Sequence, residues 1–150
     1  MRLIAPRPGH EEGLTRISRE FVTDNPWAVN FPVGQMSSPE TAYDKLFSPE
    51  ALVVLVAENE AGEMTGYVGV YKYPEAVVLL VLIEARYRPT ELMCELIDAA
   101  FKELPGGLVV EAWVSANDQT LARKLSRYGF TRARAQEEEG RMVEVYTRGT

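Results

Sequence analysis

The stretch ARYRPTELMCELIDAAF, residues 85–101, follows an eight-residue apolar run from Ala76 to Ile83 and opens an amphipathic helix. A strand running into a helix start is a common place to bind a phosphate, because free N–H groups and the helix dipole converge there. Such turns are usually rich in glycine, and this one has none. Pro89 brings no N–H, Glu91 brings a negative charge, and Met93 puts a long side chain where a phosphate needs bare backbone. At about 5 Å and an effective dielectric of about 20, Glu91 repels each phosphate charge by about 3 kcal/mol. The same residues also read as a helix start with no ligand: an early proline, Thr90 as cap and an acid facing the dipole.

Other chemistry is sparse. One histidine, His10, and one cysteine, Cys94, leave no disulfide framework and no metal-ligand cluster. His10 lies near a helix start and is expected to be an ordinary surface residue. A net charge of −6 argues against general affinity for nucleic acid or anionic membrane. It suits a basic protein partner or an amine substrate. No basic-plus-apolar leader opens the chain, and its longest apolar run is about half of a membrane span. A cytoplasmic location is expected. With 150 residues, 46% apolar and 25% charged, the chain reads as one soluble globular domain over 1–150.

The elements that position these residues follow from hydrophobic period. RLIAP (2–6) is a short strand. Leu14, Ile17, Phe21 and Val22 recur at helical spacing between residues 10 and 23. Residues 24–37, with two prolines and two aromatics, read as a long loop; SSPETAYDKLF then starts a second helix with Ser38 as N-cap and Pro39 at its first position. ALVVLVAENE (51–60) and EMTGYVGVYKY (63–73) form a hairpin around Ala61-Gly62. EAVVLLVLIE (75–84) is apolar on both faces, as a central strand covered on both sides requires. A helix bearing Leu92, Leu96, Ile97, Ala100 and Phe101 stops at PGG (105–107), and LVVEAWVS (108–115) is the next strand. The helix between them has the length of a right-handed crossover, so these two strands are expected to be parallel. NDQTLARKLSRY (117–128) is a short helix capped by Asn117 or Asp118 and ended by Gly129; FTRARAQ and RMVEVYTR pair around EEEG. The result is an α/β fold: a mixed sheet of about six to seven strands with helices on both faces, in the order β-α-α-β-β-β-α-β-α-β-β. Ligands in such sheets sit beyond the strand C-termini, where the opening stretch lies.

This order resembles the GCN5-related N-acetyltransferase (GNAT) superfamily over essentially the whole chain. VSANDQTLARKLSRYGFTRAR (114–134) is similar to its second conserved block, a capped strand end, a short helix and Gly-Phe opening the next strand. VAENEAGEMTGYVGVY (56–71) is similar to its central hairpin. The resemblance implies acetyl-CoA in a gap between the two parallel strands, its pyrophosphate on an Arg/Gln-x-x-Gly-x-Gly/Ala turn. That turn falls on Arg88, Pro89, Thr90, Glu91, Leu92 and Met93. The first position matches and both small-residue positions fail. Asn117, and backbone N–H groups at a β-bulge around Leu82 and Ile83, are the other cofactor positions it implies.

In the reaction that the resemblance implies, an amine loses a proton to an acid residue or a water chain, attacks the thioester, and a tyrosine often protonates the leaving thiolate. The tyrosine position falls on Leu125; Tyr128, nearly a turn later, is the candidate acid or else a core residue with a wet hydroxyl. Glu84 at the end of the central strand and Glu111 on its parallel neighbour are the candidate bases, with Glu58 third; Glu111 also reads as a solvated outward residue. Trp27 and Phe31 line a substrate groove or a partner contact, or else pin the long loop to the core, and Trp113 is expected in the core. Two functions remain. The first is a GNAT-fold protein with a degenerate acetyl-CoA site, non-catalytic or catalytically weak, that serves to bind another protein or as a structural component; degenerate members of the fold include phage-encoded ones. The alternative is an active N-acetyltransferase moving an acetyl group from acetyl-CoA to a primary amine. The oligomeric state, a homodimer included, stays open.

Overall fold

A computed structural model describes residues 1–150, apart from the side chain of Asn30. Seven strands, β1 (Arg2–Ile4), β2 (Ala51–Glu58), β3 (Met64–Lys72), β4 (Val77–Ile83), β5 (Val109–Ser115), β6 (Thr131–Glu138) and β7 (Arg141–Gly149), build one sheet. Four helices, α1 (His10–Asp24), α2 (Pro39–Leu46), α3 (Leu92–Glu103) and α4 (Gln119–Arg127), interleave with them. The strand order is β1-β2-β3-β4-β5-β7-β6. Neighbours are antiparallel except β4 and β5, which run parallel with α3 as their crossover.

β4 shows why the sheet needs helices on both sides. Its even residues Val78, Leu80 and Leu82 pack with Leu14 and Ile17 of α1 and Leu46 of α2. Its odd residues Leu79 and Ile83 pack with Leu96 and Ile97 of α3, Val110 of β5 and Leu125 of α4. Period-two alternation of apolar residues on both faces produces this two-sided core, and each buried Leu or Ile contributes about 2 kcal/mol. In β3 the face under α2 carries Tyr67 and Tyr71, whose hydroxyls hydrogen-bond each other, and Tyr71 donates to the Lys45 carbonyl at 2.7 Å. Burial pushes both phenols far up in pKa. Gly69 lies between them, and a Cβ there would sit 2.6 Å from each hydroxyl oxygen.

The long loop after α1 condenses into two 3₁₀ turns, Pro26–Asn30 and Pro32–Gln35, each begun by its proline. Trp27 packs edge-on to Phe31 at 5.0 Å and to Phe21 at 6.0 Å, which fixes the loop over β4 and β5. Helix α4 ends at Gly129, where φ is +90° and the Phe130 N–H returns to the Leu125 carbonyl.

One expectation fails here. His10 is 7% exposed rather than a surface residue. It stands one turn before Leu14, on the buried face of α1, and its Nε2 lies 2.8 Å from Glu58 Oε2. Its Nδ1 accepts the Arg7 backbone N–H at 3.0 Å.

Candidate functional site

The parallel pair is short. β4 and β5 register at Val77↔Val110, Val78↔Glu111 and Leu79↔Ala112, and the pairing goes no further. Leu80 to Ile83 and Trp113 to Ser115 therefore flank a gap that opens toward the C-terminal edge of the sheet. The β3–β4 ladder stays in register from Lys72↔Val77 to Gly66↔Ile83 without a shift, so the bulge expected around Leu82 and Ile83 is absent. The Glu84 N–H donates to the Thr65 carbonyl at 2.9 Å. Hydrogen-bonding direction alternates along an antiparallel strand, so Leu82 likewise spends its N–H on β3. The N–H groups of Val81 and Ile83 face the gap instead. The Ile83 carbonyl faces it too, and accepts from Arg88 Nε at 3.3 Å.

Two connected cavities occupy the gap. The inner one, about 60 Å³, passes through the sheet: Leu79, Val81, Ala112, Leu121 and Leu125 wall it, and Trp27, Phe31 and Trp113 close its far end. Trp113 is thus partly a wall rather than pure core. The outer cavity, about 240 Å³, shares Phe21, Val81 and Leu121 with the inner one and opens between Arg88, Met93, Asp118 and Lys124. Its mouth is polar and its interior apolar.

The turn at the mouth carries its own hydrogen bonds. Ala85–Tyr87 is a 3₁₀ turn, and α3 starts only at Leu92, so Pro89 and Glu91 precede the helix instead of occupying its first turn. Thr90 Oγ1 accepts the Leu92 N–H at 3.3 Å, which satisfies one donor that a phosphate would use. The Glu91 side chain is exposed and makes no cap bond. The Met93 side chain lines the outer cavity. Arg88 is drawn toward α1: Nη1 donates to Asp24 at 3.0 Å, Nη2 lies 3.9 Å from Glu20, and the guanidinium stacks over Phe21. Its buried Nη2 has no hydrogen-bond partner. Lys124 crosses the mouth from α4 to donate to the Arg88 carbonyl at 3.0 Å.

The catalytic candidates do not meet in this gap. Glu84 lies on the α1 face, buried, held by Arg16 at 2.9 Å and by Arg86. Glu111 takes a bidentate pair from Arg134 at 3.1 Å and the Trp113 indole N–H at 3.2 Å. Tyr128 lines neither cavity. Burial first, then the neighbouring Cys94 and Glu91, pushes its phenol above the usual value. Leu125 does line the inner cavity and offers no proton there. Asn117 is exposed, and Asp118 instead caps α4 by accepting the Leu121 N–H at 3.0 Å. Glu58 is 1% exposed among Arg2, Arg7 and His10, at the β1–β2 edge rather than at the β4–β5 gap. Among the described residues no group of three or more His, Cys, Asp and Glu is placed to hold a metal ion. No helix is long and apolar enough to cross a membrane.

What the sequence reading missed is the pair of backbone donors at Val81 and Ile83 and the strap of Lys124. The first depends on strand parity, which residue types do not encode. The second could have been read from a lysine in α4 whose helix must face the preceding turn.

No protein-family model and no curated protein sequence matches the chain. Solved structures do. A ribosomal-protein-alanine N-acetyltransferase from Brucella melitensis superposes with a TM-score of 0.76, 17% identity and all of both chains covered. A Salmonella typhimurium protein solved with its cofactor acetyl-CoA gives 0.74 at 16% identity, over 99% of this chain and 92% of that one. A GNAT-family acetyltransferase from Listeria monocytogenes gives 0.69 at 15%, over 99% and 94%. At such identities the likeness establishes the fold: this chain has the GNAT acetyltransferase fold.

Proposed function

We propose that this chain is a GNAT-fold binding protein with a degenerate acetyl-CoA site, non-catalytic or catalytically weak. The observation that carries the reading is the wall of the β4–β5 gap. It is lined by Leu79, Val81, Ala112, Leu121 and Leu125, while Glu84, Glu111 and Tyr128 line neither cavity. General acid–base help contributes about 10²–10⁴-fold each, so a gap without either group holds a ligand far better than it turns one over. Glu84 and Glu111 are also committed to arginines, and freeing either one breaks an ion pair.

A second reading, an active N-acetyltransferase acting on a primary amine of a small molecule or protein, has its own support. The N–H groups of Val81 and Ile83 aim into the gap as fixed donors for a carbonyl oxygen. The named neighbours are acetyltransferases, one of ribosomal-protein alanine, and another neighbour holds acetyl-CoA. Deprotonation of the amine would then fall to water.

Turnover separates the two. The chain is incubated with acetyl-CoA and a panel of amines, amino acids and peptides with free N-termini, and thiol release is followed. The expected result is release at the rate of spontaneous hydrolysis, independent of amine. A rate that rises and saturates with one amine overturns the first reading and establishes the second.

A further inference from the structure

The sheet ends on two unequal edges. β1 is three residues long, whereas β6 runs for eight, from Thr131 to Glu138, and pairs only with β7. Strand parity shows which backbone groups this free edge holds. The Met142 carbonyl accepts from Ala116 at 3.2 Å and the Thr150 N–H donates to Leu108 at 2.9 Å, so the even residues of β7 face β5. Val143 and Val145 therefore face β6, where they register with Gln136 and Arg134. Ala135 and Glu137 alternate with these and point their N–H and C=O groups away from the sheet; both residues are exposed. Charge along the strand is ordered, with Arg132 and Arg134 first and Glu137, Glu138 and Glu139 last. Charges that merely guard an edge against pairing need no such order. Arg134 bonds Glu111 at 3.1 Å and Gln136 at 2.9 Å, and Gln136 donates to Glu138 at 3.0 Å. Glu138 itself, half-buried, is in no ion pair among the described residues.

We propose that β6 pairs antiparallel with β6 of a second copy of this chain, about a two-fold axis at Gln136. Only the outward-facing residues can exchange backbone hydrogen bonds across the edge. This axis sets Ala135 opposite Glu137 of the second copy, and the symmetry repeats the pair. Gln136 stands opposite itself. Arg134 stands opposite Glu138 of the second copy on the same face, where opposite charges attract across strands. Neighbouring registers are worse. An axis at Glu137 sets that acid against itself, and one at Ala135 sets the bulge between Arg132 and Arg134 against Glu137. Pairing stops at Glu139, whose φ of +48° leaves the extended region. The two sheets then run on as one, β4-β5-β7-β6 into β6-β7-β5-β4, whatever the β4–β5 gap holds.

Sedimentation velocity across a range of protein concentrations tests this. A single strand edge is smaller than a standard interface, so a weak dimer with a dissociation constant on the order of 10–100 µM is expected. Ala135→Pro removes an N–H that points away from β7, so the monomer should keep its fold, checked by circular dichroism, and associate about tenfold or more weakly. Glu138→Lys faces Arg134 with a like charge and should weaken association similarly. Glu40→Lys makes the same charge change on α2, away from the edge, and should not weaken it. Register is read by cross-linking in a Cys94→Ser background. Under a mild oxidant Gln136→Cys should give a disulfide-linked dimer, because a non-hydrogen-bonded pair brings the two Cα atoms to about 4.5 Å. Thr131→Cys, at the far end of the same edge, should not. A monomer at every concentration overturns the proposal, as does association that Ala135→Pro leaves unchanged. Cross-linking at Thr131 as readily as at Gln136, or none at Gln136 in a chain that dimerises, overturns the register and with it the Arg134–Glu138 pairing.

Discussion

Glu58 was the weakest of the catalytic candidates, and its surroundings give it a structural task. It is 1% exposed, and Arg2 at 2.9 Å, Arg7 at 2.7 Å and His10 at 2.8 Å converge on its two oxygens. The His10 hydrogen bond first, then the Arg7 charge and the Arg2 hydrogen bond, holds the carboxyl below its ordinary value. A depressed carboxyl stabilises the fold fully above its unfolded pKa and loses that contribution as pH falls through its folded value. Glu58→Ala should therefore cost about 2–3 kcal/mol at neutral pH, where it leaves His10 and the arginines unpartnered. Glu58→Gln should be less stable than the unaltered chain at pH 7, with the difference shrinking below about pH 4. Thermal unfolding across that range checks both. A Glu58→Gln deficit that stays constant to pH 3 would mean the charge plays no part. None of this was legible in the sequence, because Glu58 lies 48 to 56 residues from Arg2, Arg7 and His10 along the chain until β1 pairs with β2.

Between α3 and β4 the sequence and the structure agree about what is missing and differ about what remains. The absence of glycine from residues 85–93 was plain from residue types alone, and the turn indeed uses Thr90 to satisfy its own helix. Periodicity also placed β4, α3, β5 and α4, since each has a strongly apolar face. The direction of individual N–H groups was not legible, because it depends on ladder parity and on where β4 and β5 part. That parity makes a prediction. In native-state hydrogen exchange Leu80, Leu82 and Glu84, bonded to β3, should exchange slowly, and Val81 and Ile83 faster by about two orders of magnitude or more. A ligand threaded through the gap should slow Val81 and Ile83 selectively. Equal protection of all five without ligand would show the gap closed, and with it the candidate site lost.

On the scale of the molecule the sheet is two half-sheets, β1 to β4 and β5, β7, β6, joined by three residue pairs and by the shared packing of α3 and α4. The longer ladders on either side, seven registered pairs between β3 and β4 and seven between β5 and β7, make each half stiffer than the join. The order of elements foretold the parallel pair but not how early it ends, since both strands stay apolar past the last pair, β4 through Ile83 and β5 through Val114. Val110 sits at the join, fully buried and opposite Val77. Val110→Ala should cost about 2 kcal/mol through the cavity it leaves, and Val145→Ala in β7, equally buried, should cost a similar amount. The two should differ in what opens. Loosening the join lets β5, β7 and β6 exchange together as one unit ahead of β1 to β4, whereas Val145→Ala should speed exchange only around the β7 surface that packs on Phe31. A ligand that fills the gap would contact both halves and should restore slow exchange to the β5, β7, β6 unit in Val110→Ala. If both half-sheets instead speed equally in that variant, the sheet unfolds as a single block, and the three-pair join is not the place where this fold gives way.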